Sequence, residues 1–386
     1  MTPTQAEELV ARFGSPLYVY DAALVRRAYA RFAAAFVGHP TEIHYAIVCN
    51  KNRYLVRLLG ALGAGIHANT PGDAFAALAA GIPAARIVYS GTNLDRADLR
   101  FLAERRIHMN LDSLDQLRDA VAAPIEAVGL RFLVDDEHRA NRIGITRAEI
   151  PEALSIAVRA GVKVTGLHMY AGTNTRRAAR FVECLERLVA AADELPDLAY
   201  VDIGGGFGIS YEDGDPELEL EAVGRAVVQR MATLRGGSIA VVAEPGRWLV
   251  GPAGTLVVTV VSVKERGGRR YIGVDSTVGN VVVPSVYHAR HRLHALGAHG
   301  ADLAIPTDVC GNTTHSRDFL GRDVRLPALR PGDRLALGDV GAYGYAMSSH
   351  FLNRPRPAEV VLDGADVHLT TRRETLEDLL ATQVAT

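Results

Sequence analysis

Short apolar runs alternate with amphipathic stretches from about Ala23 to Gly251. The apolar runs predict strands at Ile43–Val48, Gly65–Asn69, Ile87–Ser90, His108–Leu111, Leu130–Val134, Gly166–Tyr170, Tyr200–Ile203 and Ile239–Ala243. Helical spacing fills the gaps, for instance at Ala74–Ala80, Arg96–Glu104 and Arg177–Leu195. Regular strand–helix alternation predicts a parallel sheet. Eight such units in roughly 230 residues suit an α/β fold closed into a (β/α)8 barrel. After Gly254 the texture changes. Thr255–Lys264 and Arg270–Val274 are rich in Val, Ile and Thr, and turn signals such as Arg330-Pro331-Gly332-Asp333 follow. That pattern predicts a β-domain with few helices.

The bulk properties narrow the function classes. The 386 residues suffice for a large domain and a second one, and 48% hydrophobic with 22% charged residues is ordinary for a globular enzyme. A net charge of −2 offers no electrostatic footprint for nucleic acid or an anionic membrane. No apolar run approaches a membrane span. The N-terminal Met-Thr-Pro-Thr-Gln-Ala-Glu-Glu lacks the basic and apolar regions of a signal peptide. Cys49, Cys184 and Cys310 form neither a CxxC nor a disulfide framework. The expectation is a cytoplasmic protein.

Candidate chemistry gathers at the ends of predicted strands. Val201-Asp202-Ile203-Gly204-Gly205-Gly206-Phe207-Gly208 closes one strand with a glycine-rich turn. Such a turn lets backbone N–H groups approach a phosphate, and a following helix N-terminus would add a favourable dipole. By itself it is equally well a tight strand-to-helix turn. Ala243-Glu244-Pro245-Gly246-Arg247 ends another strand, and its guanidinium suits a phosphate. His44, His67 and His168 share the inward phase of three strands. No short-range ligand motif accompanies them, so satisfied polar histidines are expected there and no metal.

Tyr45-Ala46-Ile47-Val48-Cys49-Asn50-Lys51-Asn52 resembles the start of the barrel in fold-type III pyridoxal-phosphate decarboxylases, the group of diaminopimelate and ornithine decarboxylases. Their pattern is Tyr-Ala-(apolar)-Lys-Ala-Asn-x-Asn, and its lysine binds the cofactor covalently. Both asparagines and the Tyr-Ala pair align without a gap, and the lysine falls on Val48. The resemblance covers nearly the whole chain, through Leu329–Asp333, Gly341-Ala342-Tyr343-Gly344-Tyr345 and Arg354–Val360. It implies an alanine racemase/ornithine decarboxylase-like fold. The barrel spans 23–254, and a β-domain of 255–386 is completed by an N-terminal strand in 1–22, at Pro16–Asp21. It further implies pyridoxal phosphate as cofactor. Glu244 would pair with the pyridine nitrogen, and Gly204, Gly205, Gly206, Gly246, Arg247 and Tyr343 would bind the phosphate. A homodimer with composite active sites is implied as well, a loop around Thr314–Asp318 entering the partner's barrel.

Several site positions depart from that family together. His67 replaces the barrel aspartate and Asp73 shortens a glutamate. Gly166-Leu167-His168-Met169-Tyr170-Ala171-Gly172-Thr173 matches Gly-(apolar)-His-x-His-(apolar)-Gly-Ser, so Tyr170 stands for the histidine that stacks on the cofactor ring, a role tyrosine can fill. Thr173 takes the serine position. Thr314 replaces the cysteine that donates a proton from the partner subunit, and a hydroxyl is a far weaker acid than a thiol. His315 follows it, and Cys310 lies four residues earlier. Val283 stands where diaminopimelate decarboxylases carry a substrate-binding arginine, which argues against diaminopimelate. By strand phase Val48 points into the barrel. Lys51, on the following loop, is the amine left to anchor the cofactor or act as a base; the competing reading is an exposed lysine. The candidate catalytic residues are therefore Lys51, His67, Thr314 and His315.

Three functions stay open at this level. The first is a decarboxylase-like lyase of amino-acid metabolism, acting on an amino acid or amine with pyridoxal phosphate held without the usual lysine. The second is a barrel enzyme with non-pyridoxal chemistry, metal-dependent chemistry included. The third is a non-catalytic homologue that binds or regulates.

Overall fold

The computed structural model describes residues 1–135, 142–212, 214–287, 289–297, 300–301 and 303–384. The chain forms two compact units. One is Met1–Val25, Ser210–Asp215 and Val250–Thr386; the other is Arg26–Ile209 and Pro216–Leu249.

Strand β1 (Leu17–Asp21) belongs to the first unit. The second unit is a closed parallel barrel of β2 (Thr41–Ala46), β3 (Gly65–Ala68), β4 (Ile87–Tyr89), β5 (His108–Leu111), β6 (Ala127–Arg131), β7 (Lys163–His168), β8 (Tyr200–Asp202) and β9 (Ala240–Ala243). Closure is direct, since β2 pairs in parallel with both β3 and β9. The eight strands expected from the sequence are all present, with ends displaced by up to three residues.

Residues alternate between the barrel interior and the surrounding helices. Tyr45, Ile66, Val128, Leu130, Leu167, Val201 and Val241 are buried towards the helices. The opposite phase carries polar groups: His44, His67, His108, Asn110, Arg131, His168, Tyr200 and Asp202. Glycines make room for them. A Cβ on Gly166 would lie 2.1 Å from the Tyr200 ring. That ring's hydroxyl donates to Asn110 Oδ1 at 2.5 Å and lies 2.8 Å from His108 Nε2. The lower barrel is thus filled by a hydrogen-bonded layer in place of the usual branched aliphatics.

The segment after β2 departs from the expectation. β2 ends at Ala46, and Ile47–Cys49 form a 3-10 turn. Strand phase therefore does not extend to Val48, which is 39% exposed. The neighbouring motif residues hold this turn. The Tyr45 hydroxyl donates to the Asn50 carbonyl at 2.7 Å, and Asn50 Oδ1 accepts from Asn52 N at 2.9 Å. Asn52 then caps the helix Arg53–Ala61 by accepting from Tyr54 N at 3.1 Å, a contact worth about 1 kcal/mol. That helix buries Leu55, Val56 and Leu59.

The first unit continues with β10 (Gly254–Arg266), β11 (Arg269–Val274), β12 (Leu293–Leu296), β13 (Thr307–Cys310), β14 (Phe319–Val324), β15 (Arg334–Leu337), β16 (Ala358–Asp363) and β17 (Asp366–Thr371). β1 lies antiparallel to β10 and parallel to β16, so the N-terminal strand completes this sheet as expected. Leu9, Val10, Leu17, Val19, Val257, Ala358 and Val360 form one of its apolar clusters. Arg330–Asp333 is a turn: Asp333 Oδ2 accepts from Arg330 N at 2.8 Å, and Gly332 has a φ of 101°. Among the described residues, no helix is long and apolar enough to cross a membrane.

Candidate active site

The site is built where barrel strands end. β3 delivers His67, β6 Arg131, β7 His168 and β8 Asp202, and Glu244 follows β9 by one residue. All five are buried or nearly so. His168 Nε2 lies 3.1 Å from Glu244 Oε2, and His67 Nε2 lies 3.4 Å from Glu244 Oε1. The two imidazole rings are 17° from parallel with centroids 6.0 Å apart. The buried atoms His67 Nε2 and Glu244 Oε1 have no hydrogen-bond partner among the described residues.

Burial sets the protonation of the cluster. It lowers His67 well below its ordinary value, helped by the neighbouring His168, and lowers His168 to about 4. Both imidazoles are thus neutral near pH 7, and their contacts with Glu244 are not ion pairs. Burial pushes Glu244 up to about 7, against the opposing pull of its hydrogen bond with Asp202 and of Arg131. Asp202 is raised well above the carboxylate range by burial and then by the charge of Glu244. Burial also lowers Arg131, while Glu244, Asp112, Tyr170 and Asp202 favour its charge.

The glycine-rich turn sits beside this cluster. Asp202 Oδ1 accepts from Gly204 N at 2.8 Å, and the Gly204 carbonyl accepts from Glu244 N at 2.9 Å. Gly204 and Gly206 have φ of 67° and 88°, and added Cβ atoms would lie 1.9 and 2.0 Å from the Met169 and Gly172 carbonyl oxygens. The turn is therefore glycine by necessity. Tyr170, 40% exposed, lies alongside: a Cβ on Gly206 would meet its Cε2 at 3.4 Å, and its hydroxyl is 2.9 Å from Thr173 Oγ1. Among the described residues no helix follows directly; the next begins at Leu220, so the expected helix dipole does not contribute here.

Gly246 closes the turn after β9 against β2. A Cβ there would lie 2.3 Å from Cys49 Sγ and 3.0 Å from the Ala46 Cβ, and Ala46 N donates to the Pro245 carbonyl at 3.3 Å. The turn that carries residue 48 therefore abuts the segment that carries Glu244. Arg247 begins the short helix Arg247–Val250. Lys51 is exposed on the loop beyond Val48, and its charge bears on Asp73. Asp73 is used structurally, accepting from Asn69 N at 3.1 Å at the head of the helix Pro71–Ala79.

His67, His168, Glu244, the glycine turn, Tyr170 and Thr173 thus belong to one neighbourhood of the barrel unit. His44 does not join His67 and His168 on Glu244; its Nε2 lies 3.2 Å from Glu42. Thr314, His315, Cys310 and Tyr343 belong to the other unit. There the 311–318 loop is tied by Asp318, which accepts from Val278 N at 2.6 Å and Thr313 N at 3.0 Å. The His315 ring packs edge-on against Phe351. Sequence reasoning missed Arg131 and Asp202 as site groups. Each ends a barrel strand in the inward phase, Arg131 two residues after Gly129, and that was the available signal.

Residues 22–251 match the family model described as "Pyridoxal-dependent decarboxylase, pyridoxal binding domain". Diaminopimelate decarboxylase of Methanothermobacter thermautotrophicus is 31% identical over 98% of this chain and 94% of its own length. The enzyme of Pseudomonas fluorescens is 33% identical over 97% and 94%. Among solved structures, diaminopimelate decarboxylase from Helicobacter pylori, complexed with L-lysine, superposes with a TM-score of 0.91 at 28% identity, covering 97% of this chain and 98% of that one. The enzyme from M. jannaschii in co-complex with L-lysine gives 0.92 at 26% identity, covering 99% and 94%. The chain belongs to the pyridoxal-dependent decarboxylase family, a family of lyases whose cofactor is pyridoxal phosphate. Its barrel-plus-β-domain fold is theirs.

Proposed function

We propose that this protein holds pyridoxal phosphate without the usual lysine and acts as a decarboxylase-like lyase on an amino acid or amine. The observation that carries the reading is Glu244: a buried carboxyl with one oxygen unpartnered, beside a turn whose glycines admit no side chain. Those features fit the ring nitrogen and the phosphate. Position 48 offers no amine.

When bound, the cofactor supplies an electron sink for the bond that breaks at the substrate's α-carbon. The chain's own groups bind and orient. Glu244 takes the proton side of the ring nitrogen, with Arg131 favouring its ionised form. The N–H groups of the Gly204–Gly206 turn, with Gly246 and Arg247, would hold the phosphate, and the exposed face of Tyr170 would receive the ring; the family pattern assigns a further phosphate contact to the Tyr343 hydroxyl. Thr173 fixes Tyr170 through their hydroxyl contact. With valine at 48, retention rests wholly on these contacts. We assign His67, His315, Thr314 and Lys51 to the catalytic surroundings. A homodimer in the cytoplasm brings the 311–318 loop to the partner's site, where Thr314 is a weak proton donor compared with a thiol. Val283 stands where diaminopimelate decarboxylases carry a substrate-binding arginine, which argues against diaminopimelate as the substrate.

Titrating the full-length protein with pyridoxal phosphate, followed by its visible absorption and by bound phosphate, tests this reading. Saturable one-to-one binding, with carbon dioxide release from a panel of amino acids, is expected. Absence of saturable binding overturns it. Sedimentation as a monomer at micromolar concentration overturns the composite site.

A further inference from the structure

Two imidazoles and a carboxylate from three different parts of the barrel converge. His67 and His168 close on Glu244 at 3.4 and 3.1 Å, and one ligand atom from each of the three lies within 4.8 Å of the others. All three residues are more than nine-tenths buried. His67 Nε2 and Glu244 Oε1 face each other with no hydrogen-bond partner among the described residues, so two strong polar atoms are sealed away unsatisfied. The near-parallel rings both turn Nε2 to the carboxylate. Bonds of about 2.0–2.2 Å to a tetrahedral ion put neighbouring ligand atoms roughly 3.3–3.6 Å apart. The two spacings observed here run to different oxygens of Glu244, and all three ligand atoms lie within 4.8 Å of one another, so a small turn of the carboxylate brings one oxygen to an ion shared with both imidazoles.

We propose that His67, His168 and Glu244 form a binding site for one divalent transition-metal ion of the zinc type. Two nitrogens and one oxygen suit zinc, cobalt or iron(II) better than magnesium or calcium, which prefer oxygen alone. Three protein ligands leave a position open for water or a substrate atom. Arg131 is the neighbouring cation that opposes an ion, and Asp112 and Asp202 are the carboxyls that also face Arg131 and offset it. His67 is one of the positions at which this chain departs from the family pattern, which has aspartate there, so the site belongs to this chain's own sequence. The inference goes beyond the cofactor reading, and it bears on it. Glu244 is the carboxylate assigned above to the pyridine nitrogen, so the ion and the ring compete for it.

The test uses the full-length protein, stripped with a chelator and free of cofactor, titrated with Co2+ and with Zn2+. Wild type should take up one equivalent of Co2+ with visible ligand-field bands, and Zn2+ should displace it. His67→Asp, which restores the family residue, and His168→Asn should weaken binding by roughly tenfold or more. Circular dichroism checks the fold of each. Should His67→Asp fail to fold, Glu244→Gln, nearly isosteric, must show the same loss. Co2+ uptake that is absent, or equal in wild type and variants, overturns the metal site. Pyridoxal phosphate should lower the apparent Co2+ affinity of wild type, and unchanged affinity in the presence of bound cofactor overturns the shared use of Glu244. The two readings fail separately. Saturable cofactor binding without cobalt uptake removes the metal site alone, and cobalt uptake without cofactor binding removes the lyase reading alone.

Discussion

Val48→Lys tests whether the scaffold lacks only its anchor. Residue 48 is 39% exposed on a 3-10 turn, so an introduced amine would remain largely hydrated and keep a pKa near the lysine reference of about 10.4. At pH 8 about 0.4% of it is then the neutral nucleophile, and that fraction rises about tenfold per pH unit. Adduct formation with added pyridoxal phosphate should therefore accelerate by about two orders of magnitude from pH 7 to pH 9. The assay is borohydride reduction at timed intervals, with the modified peptide located by mass spectrometry. An adduct on residue 48 of the variant, with none in wild type, is expected. A rate already flat below pH 8 would mean a buried amine with a lowered pKa, and would refute the reasoning from the exposure of residue 48. An adduct on Lys51 in wild type would show that the anchor had moved. Even with an amine at 48, the proposed place of Thr314 at a thiol's position predicts that turnover stays low.

Gly206→Ala should lower the melting temperature and abolish binding of pyridoxal phosphate together, since φ is 88° and the new Cβ would lie 2.0 Å from a carbonyl oxygen; a cofactor affinity equal to wild type would remove the turn from the site. Arg247→Ala should weaken the same binding by roughly 1.5–3 kcal/mol, the range for a charge-assisted bond, and Tyr343→Phe by less; equal affinities for wild type and Arg247→Ala would remove the phosphate assignment. The buried pair gives opposite pH dependences in chelator-treated protein. Glu244, raised to about 7, contributes stability that is present below its unfolded value and lost as pH rises through 7. His168, lowered to about 4, contributes stability that is present above its unfolded value and lost as pH falls through 4. The two oppose each other across the window between, each at up to about 3 kcal/mol. Urea midpoints of Glu244→Gln should therefore fall more steeply than wild type on acidification from pH 7 to pH 4, and those of His168→Asn less steeply; identical slopes would refute the assignment.

The barrel was legible because its strands are brief Val- and Ile-rich runs set between amphipathic helices. The ends were less so, for local reasons. β6 begins at Ala127, ahead of the expected Leu130, because Gly129 interrupts the apolar signal and Phe132–Val134 prolong it beyond the strand. The first half of β7, Lys163-Val164-Thr165, looked like loop because its outer residues are polar. At the site, contiguous motifs gave the glycine turn and Glu244. The clasp of His67 and His168 on that carboxylate depends on how strands far apart in sequence meet around the barrel, which spacing along the chain does not encode. Arg131 was overlooked because a lone charge reads as solvent-facing until its strand is known to close a ring. Val48 misled in the opposite sense: alternation was carried two residues past the point where the strand ends.

The 3-10 turn at Ile47–Cys49 separates what the barrel needs from what its chemistry needs. Tyr45, Asn50 and Asn52 secure the backbone on either side, while the side chain at 48 is 39% exposed and takes no part in those bonds. A change of side chain at that position is therefore expected to leave those bonds intact. An anchor can be lost there, or regained, without any compensating change in the interior, so the fold can be inherited intact by proteins that use its mouth for different purposes.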